Sequence, residues 1–136
     1  MTVSDAGVPV GAAGPGPVVL IVDDEAATRV LLKRTVLTAC PAAQLYEASD
    51  GETALRLART THPDLVLLDI VLPGSETSGV LICQELAKTQ TRVLIVSGNA
   101  TGSIAQACLS MGAVGILRKP FTIEDAQATI RGCLGR

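Results

Sequence analysis

Aromatic residues are almost missing from this sequence. Tyr46 and Phe121 are the only two in 136 residues, and there is no tryptophan. A base-stacking platform or a stacked flavin site would have almost nothing to build with. An excess of one charge is missing too. The 13 acidic and 11 basic residues leave a formal charge of −2, with no broad basic field of the kind that grips a nucleic-acid backbone. Direct binding to nucleic acid is therefore not expected. Apolar runs are short: the longest, such as Val18–Val22, fall far below the ~20 residues of a membrane helix. No membrane association is expected. The stretch Met1–Pro17 lacks the basic start and apolar core of an export signal, which points to a cytoplasmic chain.

The four cysteines, Cys40, Cys83, Cys108 and Cys133, include no CxxC pair and sit in apolar, helix-like stretches. They read as buried, reduced thiols, in keeping with the cytoplasm. Without export, the sequon Asn99-Ala100-Thr101 carries no meaning. The single histidine, His62, precedes Pro63 in an expected loop. It reads as a cap or a solvated residue, not as a phosphate relay.

With 48% hydrophobic residues and the usual ~100–200 residues per domain, the chain holds one core. Residues 7–17, GVPVGAAGPGP, contain four of the 13 glycines and three of the seven prolines. That mixture buries too little surface to offset its ordering entropy. The expectation is a flexible tail over residues 1–17 and one folded domain over 18–136. Gly14-Pro15-Gly16 precedes the first strand instead of following it, so it is not a dinucleotide fingerprint.

From Val18 onward, β-branched runs alternate with helix-like segments. The runs Val18–Val22, Leu45–Ala48, Leu65–Leu68, Val93–Val96 and Val114–Leu117 predict five strands. Most are continuously apolar, the pattern of strands covered by helices on both faces. The intervening stretches predict helices over Ala26–Ala39, Gly51–Thr60, Ser78–Lys88, Ser103–Met111 and Thr122–Leu134. In the second, Ala54, Leu55 and Ala58 form an apolar stripe with Arg56 and Arg59 facing away, and in the third Ile82 and Leu86 do likewise. The first, with Leu31 beside Leu32, is less cleanly amphipathic. Pro41, Pro63, Pro73 and Pro120 fall at element boundaries. This alternation selects an α/β fold, a doubly wound parallel sheet with right-handed crossovers. In such sheets functional groups gather beyond the carboxyl ends of the strands.

Four strands deliver polar residues to that edge. The first ends in Asp23-Asp24-Glu25, the third in Asp69, the fourth in Ser97, and the fifth in Lys119-Pro120. Taken singly, each is ordinary: a solvated helix start, a cap, a turn, a surface lysine. Arriving in order on four strands, they are a constellation. Three crowded carboxylates raise one another's pKa unless a cation neutralises them. Mg²⁺ suits such a pocket, because it takes one or two carboxylates, keeps several waters and accepts a phosphoryl oxygen. Lys119 and Ser97 add a mobile positive charge and a hydroxyl donor, both useful against a phosphoryl group and wasted in a plain ion site.

The series VLIVDDE, LVLLDIVLP, VLIVSG and LRKPF resembles the receiver domain of bacterial response regulators, of the chemotaxis-regulator type, over about Val18 to Leu134. The resemblance implies a flavodoxin-like, five-stranded sheet in the order 2-1-3-4-5, with Asp69 as phosphoacceptor. It implies that Asp24, and Asp23 partly through water, hold Mg²⁺ together with Asp69 and the backbone carbonyl of Val71. Lys119 would pair with the phosphoryl group, and Ser97 would move to hydrogen-bond it. The implied partners are a sensor histidine kinase or a histidine phosphotransfer protein, a downstream protein effector, and a second copy in a dimer through the fourth helix, fifth strand and fifth helix.

Two departures stand out. Members usually carry a proline four residues after the phosphoacceptor, here Pro73, and a glycine eight after it, where this chain has Thr77; its glycine comes at Gly79. The loop reads as two residues longer. Ile116 stands where many members have the tyrosine or phenylalanine whose rotamer reports activation, so aromatic gating is absent.

The expected function is a phosphorylated switch of a two-component system or phosphorelay, catalysing only its own phosphorylation and dephosphorylation. With the chain ending at Arg136 after the fifth helix, it is expected to act through protein contacts. A pseudo-receiver that has lost phosphorylation is the alternative, against which Asp23, Asp24, Asp69, Ser97 and Lys119 weigh. An aspartyl-nucleophile hydrolase resembling the haloacid dehalogenases would want a second Asp two after the first, where Val71 stands.

Overall fold

The computed structural model describes residues 2–3, 9–10, 16–71, 79–98 and 102–135. Five parallel strands alternate with five helices: β1 (Val18–Val22), α1 (Ala26–Ala39), β2 (Gln44–Ala48), α2 (Gly51–Thr61), β3 (Leu65–Leu68), α3 (Gly79–Ala87), β4 (Arg92–Ser97), α4 (Ser103–Ser110), β5 (Gly115–Arg118) and α5 (Ile123–Leu134). The sheet order is β2-β1-β3-β4-β5, the 2-1-3-4-5 order expected. All four pairings are parallel, with Ile21 opposite Glu47 and Leu67, and Ile95 opposite Ile116.

Successive residues of each central strand point to opposite faces, and each face has its own core. Val19, Ile21, Leu65, Leu67, Leu94 and Val96 pack toward Leu32 and Val36 of α1 and Ala126 and Ile130 of α5. Leu20, Val22, Val66, Leu68, Val93 and Ile95 pack toward Ala54 of α2, Ile82 and Leu86 of α3, and Ala105 of α4. This double burial is why the central strands read as unbroken apolar runs. The edge strands β2 and β5 are only partly buried.

Helix ends follow local chemistry. Asp50 caps α2 by accepting from the Thr53 N–H, and Thr122 caps α5 by accepting from the Asp125 N–H, satisfying amide groups that the helix leaves free. His62 closes α2 in the left-handed conformation, with φ of 49°, and is exposed. It precedes β3 whereas Asp69 follows it, so the sheet separates them. In α2, Ala54 is buried while Arg56 and Arg59 are exposed. In α1, Val30 and Leu31 are exposed beside buried Leu32.

Some boundaries differ from expectation. The fifth strand is Gly115–Arg118, one residue later than the apolar run suggested; Val114 still donates its N–H to the Val93 carbonyl. Cys40 lies just past α1 as its C-cap, and Cys133 is half-buried; all four thiols are free. In the expected tail, Thr2–Val3 pairs antiparallel with Pro9–Val10. The chain joins the sheet where the Pro17 carbonyl accepts from the Gln44 N–H and the Gly16 carbonyl from the Gln44 amide. Pro73, Thr77, Ser78 and the sequon Asn99-Ala100-Thr101 lie outside the described residues.

Candidate functional site

The sheet brings the expected residues to one edge. Asp23 follows β1, Asp69 follows β3, Ser97 ends β4, and Lys119 follows β5. Carboxylate oxygens of Asp23, Asp24 and Asp69 all lie within 4.8 Å of one another. Asp23 is fully buried and every polar group it has is engaged. Its Oδ1 accepts from the Glu25 N–H at 2.9 Å and its Oδ2 from Lys119 Nζ at 2.9 Å. Its N–H donates to the Ala48 carbonyl, and its own carbonyl accepts from Arg29 at 2.6 Å.

Asp69 is buried and held between two donors. Oδ1 accepts from the Val71 N–H at 2.9 Å, and Oδ2 from Lys119 Nζ at 3.2 Å. Burial pushes its carboxyl above the ordinary range. The Val71 N–H and the Lys119 charge pull it down without cancelling that push, and the Asp23 charge adds to it. Burial opposes the Lys119 ammonium, yet the hydrogen bond to Asp23 and the charges of Asp69 and Asp23 outweigh it and raise its pKa. Ser97 is buried, and its carbonyl accepts from the Lys119 N–H at 2.9 Å; the Lys119–Pro120 peptide is cis. Val71 offers its N–H to the site while the residue as a whole is 65% exposed.

Asp24 is exposed, beside two carboxylates already shared by one ammonium. Three negative charges less one positive leave a net charge of −2, with only the Asp24 oxygens open to water and those of Asp23 and Asp69 buried. That donor set fits a hard divalent cation.

Two features escaped sequence reasoning. Arg29 reaches from α1 to the Asp23 carbonyl and to Glu47 of β2, and Lys33 takes the other Glu47 oxygen at 2.9 Å. The signal was a lone acid inside an edge strand with two bases four apart on the preceding helix. Gly79 packs directly on Ile70, the residue after Asp69.

Among the described residues no helix is long and apolar enough to cross a membrane. Residues 19–131 match the family model described as the response regulator receiver domain. The chain is 39% identical over 120 residues to a probable transcriptional regulator ycf27 of Guillardia theta, covering 87% of this chain and 45% of that protein. It is 35% identical over 116 residues to a protein-glutamate methylesterase/protein-glutamine glutaminase of Anaeromyxobacter dehalogenans, covering 84% and 33%. The chain thus spans less than half the length of these two relatives. The solved chemotaxis protein CheY4 of Vibrio cholerae superposes with a TM-score of 0.76 at 25% identity, covering 88% of this chain and 99% of that one. With its strand order, its acidic edge and these relatives in agreement, the chain belongs to the response regulator receiver domain family of two-component signalling.

Proposed function

We propose that Asp69 accepts a phosphoryl group from the phosphohistidine of a sensor histidine kinase or histidine phosphotransfer protein. In this reading Mg²⁺ is held by Asp23, Asp24, Asp69 and the backbone carbonyl of Val71. The observation that carries it is the Lys119 ammonium, 2.9 Å from Asp23 and 3.2 Å from Asp69 with Asp24 exposed beside them. Residues 18–136 are taken as the receiver unit and 1–17 as a tail.

The Asp69 carboxylate, once ionised, attacks phosphorus without a general base. An O–P bond forms as the donor's P–N bond breaks, and the electron pair leaves with the imidazole nitrogen, which takes a proton from solvent. A bound Mg²⁺ supplies charge neutralisation on the equatorial oxygens. Lys119 pairs with the incoming phosphoryl oxygen, and the Ser97 hydroxyl donates to it. Water adding later to phosphorus breaks the O–P bond, releases inorganic phosphate and restores Asp69. On this reading the chain is a cytoplasmic switch that catalyses only its own phosphorylation and dephosphorylation. Ile104 of α4 and Val114 before β5 are exposed, and a dimer through α4, β5 and α5 would cover them.

Incubation with Mg²⁺ and a small acyl phosphate should add one phosphoryl group, located at Asp69 by peptide mapping. Asp69→Asn, nearly isosteric but not nucleophilic, should abolish labelling with the fold intact. Labelling of that variant would make another residue the acceptor.

A further inference from the structure

Asp24 differs from its two neighbours in how it is held. Asp23 and Asp69 are pinned by side-chain hydrogen bonds to Glu25, Val71 and Lys119. Asp24 is exposed, and among the described residues none donates to its carboxylate. Its position is therefore set by its backbone. The peptide that joins Asp23 to Asp24 carries the Asp23 carbonyl, and that carbonyl is gripped by Arg29 Nη1 at 2.6 Å.

Arg29 is itself fixed. Its Nε donates to Glu47 Oε1 at 3.0 Å, and the other Glu47 oxygen accepts from Lys33 Nζ at 2.9 Å. Glu47 stands opposite Ile21 in the sheet, so it is anchored to the strand that delivers the acidic turn. The planar guanidinium suits this bridge, since its donors point in fixed directions where a lysine offers one compact charge. A shallow cavity of about 210 Å³ lies beside Arg29, lined also by Glu47, Ala48, Ser49 and Thr53. Water can thus reach the Asp23 carbonyl when the side chain is cut back and take the place of the lost donor.

We propose that Arg29, braced by Glu47, is a positioning residue that fixes the Asp23–Asp24 peptide and so aims the Asp24 carboxylate at the divalent cation. The inference rests on the metal site of the previous section. Its sign separates it from plain electrostatics. Deleting a positive charge beside a cation site tightens cation binding by Coulomb's law. Deleting a positioning residue weakens it.

The test is Mg²⁺ titration of the purified chain, followed by amide NMR, in a cycle of Arg29→Ala and Asp24→Asn with Arg29→Lys as the conservative variant. Arg29→Ala should raise the Mg²⁺ dissociation constant about tenfold, the usual scale for groups that orient metal ligands. Arg29→Lys should recover part of that loss. In the Asp24→Asn background the further effect of Arg29→Ala should shrink to less than about twofold, because the two act as one unit. Unchanged or tighter binding in Arg29→Ala, with Asp24→Asn weakened, would overturn the positioning role and leave the metal site standing. Equal affinity in Asp24→Asn and wild type would overturn the metal site itself, and the inference with it.

Discussion

Gly79 approaches Ile70 so closely that a methyl group added to Gly79 would stand 2.8 Å from the Ile70 Cβ and 3.0 Å from its Cα. Ile70 follows Asp69 directly, so the first turn of α3 rests on the chain beside Asp69. This close approach supports Gly79 as the glycine expected two residues earlier; residues 72–78 lie outside the described residues. Any side chain at Gly79 meets the backbone of Ile70, which cannot swing away.

Gly79→Ala should therefore destabilise the fold by about 1–3 kcal/mol, the scale of overpacking a filled core, although alanine is the better helix former. Urea unfolding measures the loss. Slower labelling of Asp69 by a small acyl phosphate should accompany it. A fully stable Gly79→Ala would mean that α3 can retreat from Ile70 freely.

Burial of Asp69 yields a second expectation. Its native pKa lies above the ordinary value of 3.8, so the folded state binds more protons than the unfolded state across that window. Stability then falls as pH rises through it. Asp69→Asn removes the charge and should raise metal-free stability by about 1 kcal/mol, as functional sites often trade stability for activity. The advantage should shrink as pH falls toward 3.8. Saturating Mg²⁺ should favour wild type through mass action. Thermal unfolding at several pH values, with and without Mg²⁺, checks both signs.

Lys119 holds the fully buried Asp23 at 2.9 Å. Lys119→Ala leaves that carboxylate buried without its cation, and losing one member of such a pair costs about 3 kcal/mol. Mg²⁺ should restore part of the loss, whereas a monovalent salt at equal ionic strength should not. Because Lys119 is raised above its ordinary 10.5, its contribution is complete below that value and disappears at higher pH. Denaturant midpoints with Mg²⁺, with sodium chloride and across alkaline pH separate these effects.

The fold was legible because its signals are local. Unbroken runs such as Leu65–Leu68 mark strands covered on both faces, and each acidic or basic residue of the site follows such a run by one or two positions. The bounds of α1 match the sequence to the residue, since the acidic turn precedes it and Pro41 follows its cap. The Arg29–Glu47–Lys33 network was not legible in the same way. It depends on the register that sets Glu47 opposite Ile21, a pairing between positions 26 residues apart in the chain (47 − 21) that no local pattern encodes. Gly79 illustrates the same limit: only the packing of α3 on Ile70 explains why the glycine stands where it does.

The last prediction concerns how the signal leaves the site. In the receiver family the hydroxyl at the position of Ser97 moves toward the phosphoryl group, and an aromatic on the fifth strand turns into the space it vacates. Here that position is Ile116, half-buried and packed against the core that contains Ile95, opposite which it lies. A β-branched side chain is stiff at χ1 and carries no polar tip, so its rotation offers a partner little new surface. Coupling should run instead through the backbone after β4. Around Gly98 an added Cβ would meet nothing within 4 Å among the described residues, and Gly102 leads into α4 from an extended conformation. Glycines at both ends permit a large φ/ψ change there. Beryllofluoride with Mg²⁺, acting as a phosphoryl mimic, should shift the amide NMR signals of residues 97–103 strongly and the Ile116 methyl signals less. A large change in Ile116 rotamer with a quiet loop would refute this route and would make isoleucine the working substitute for the aromatic.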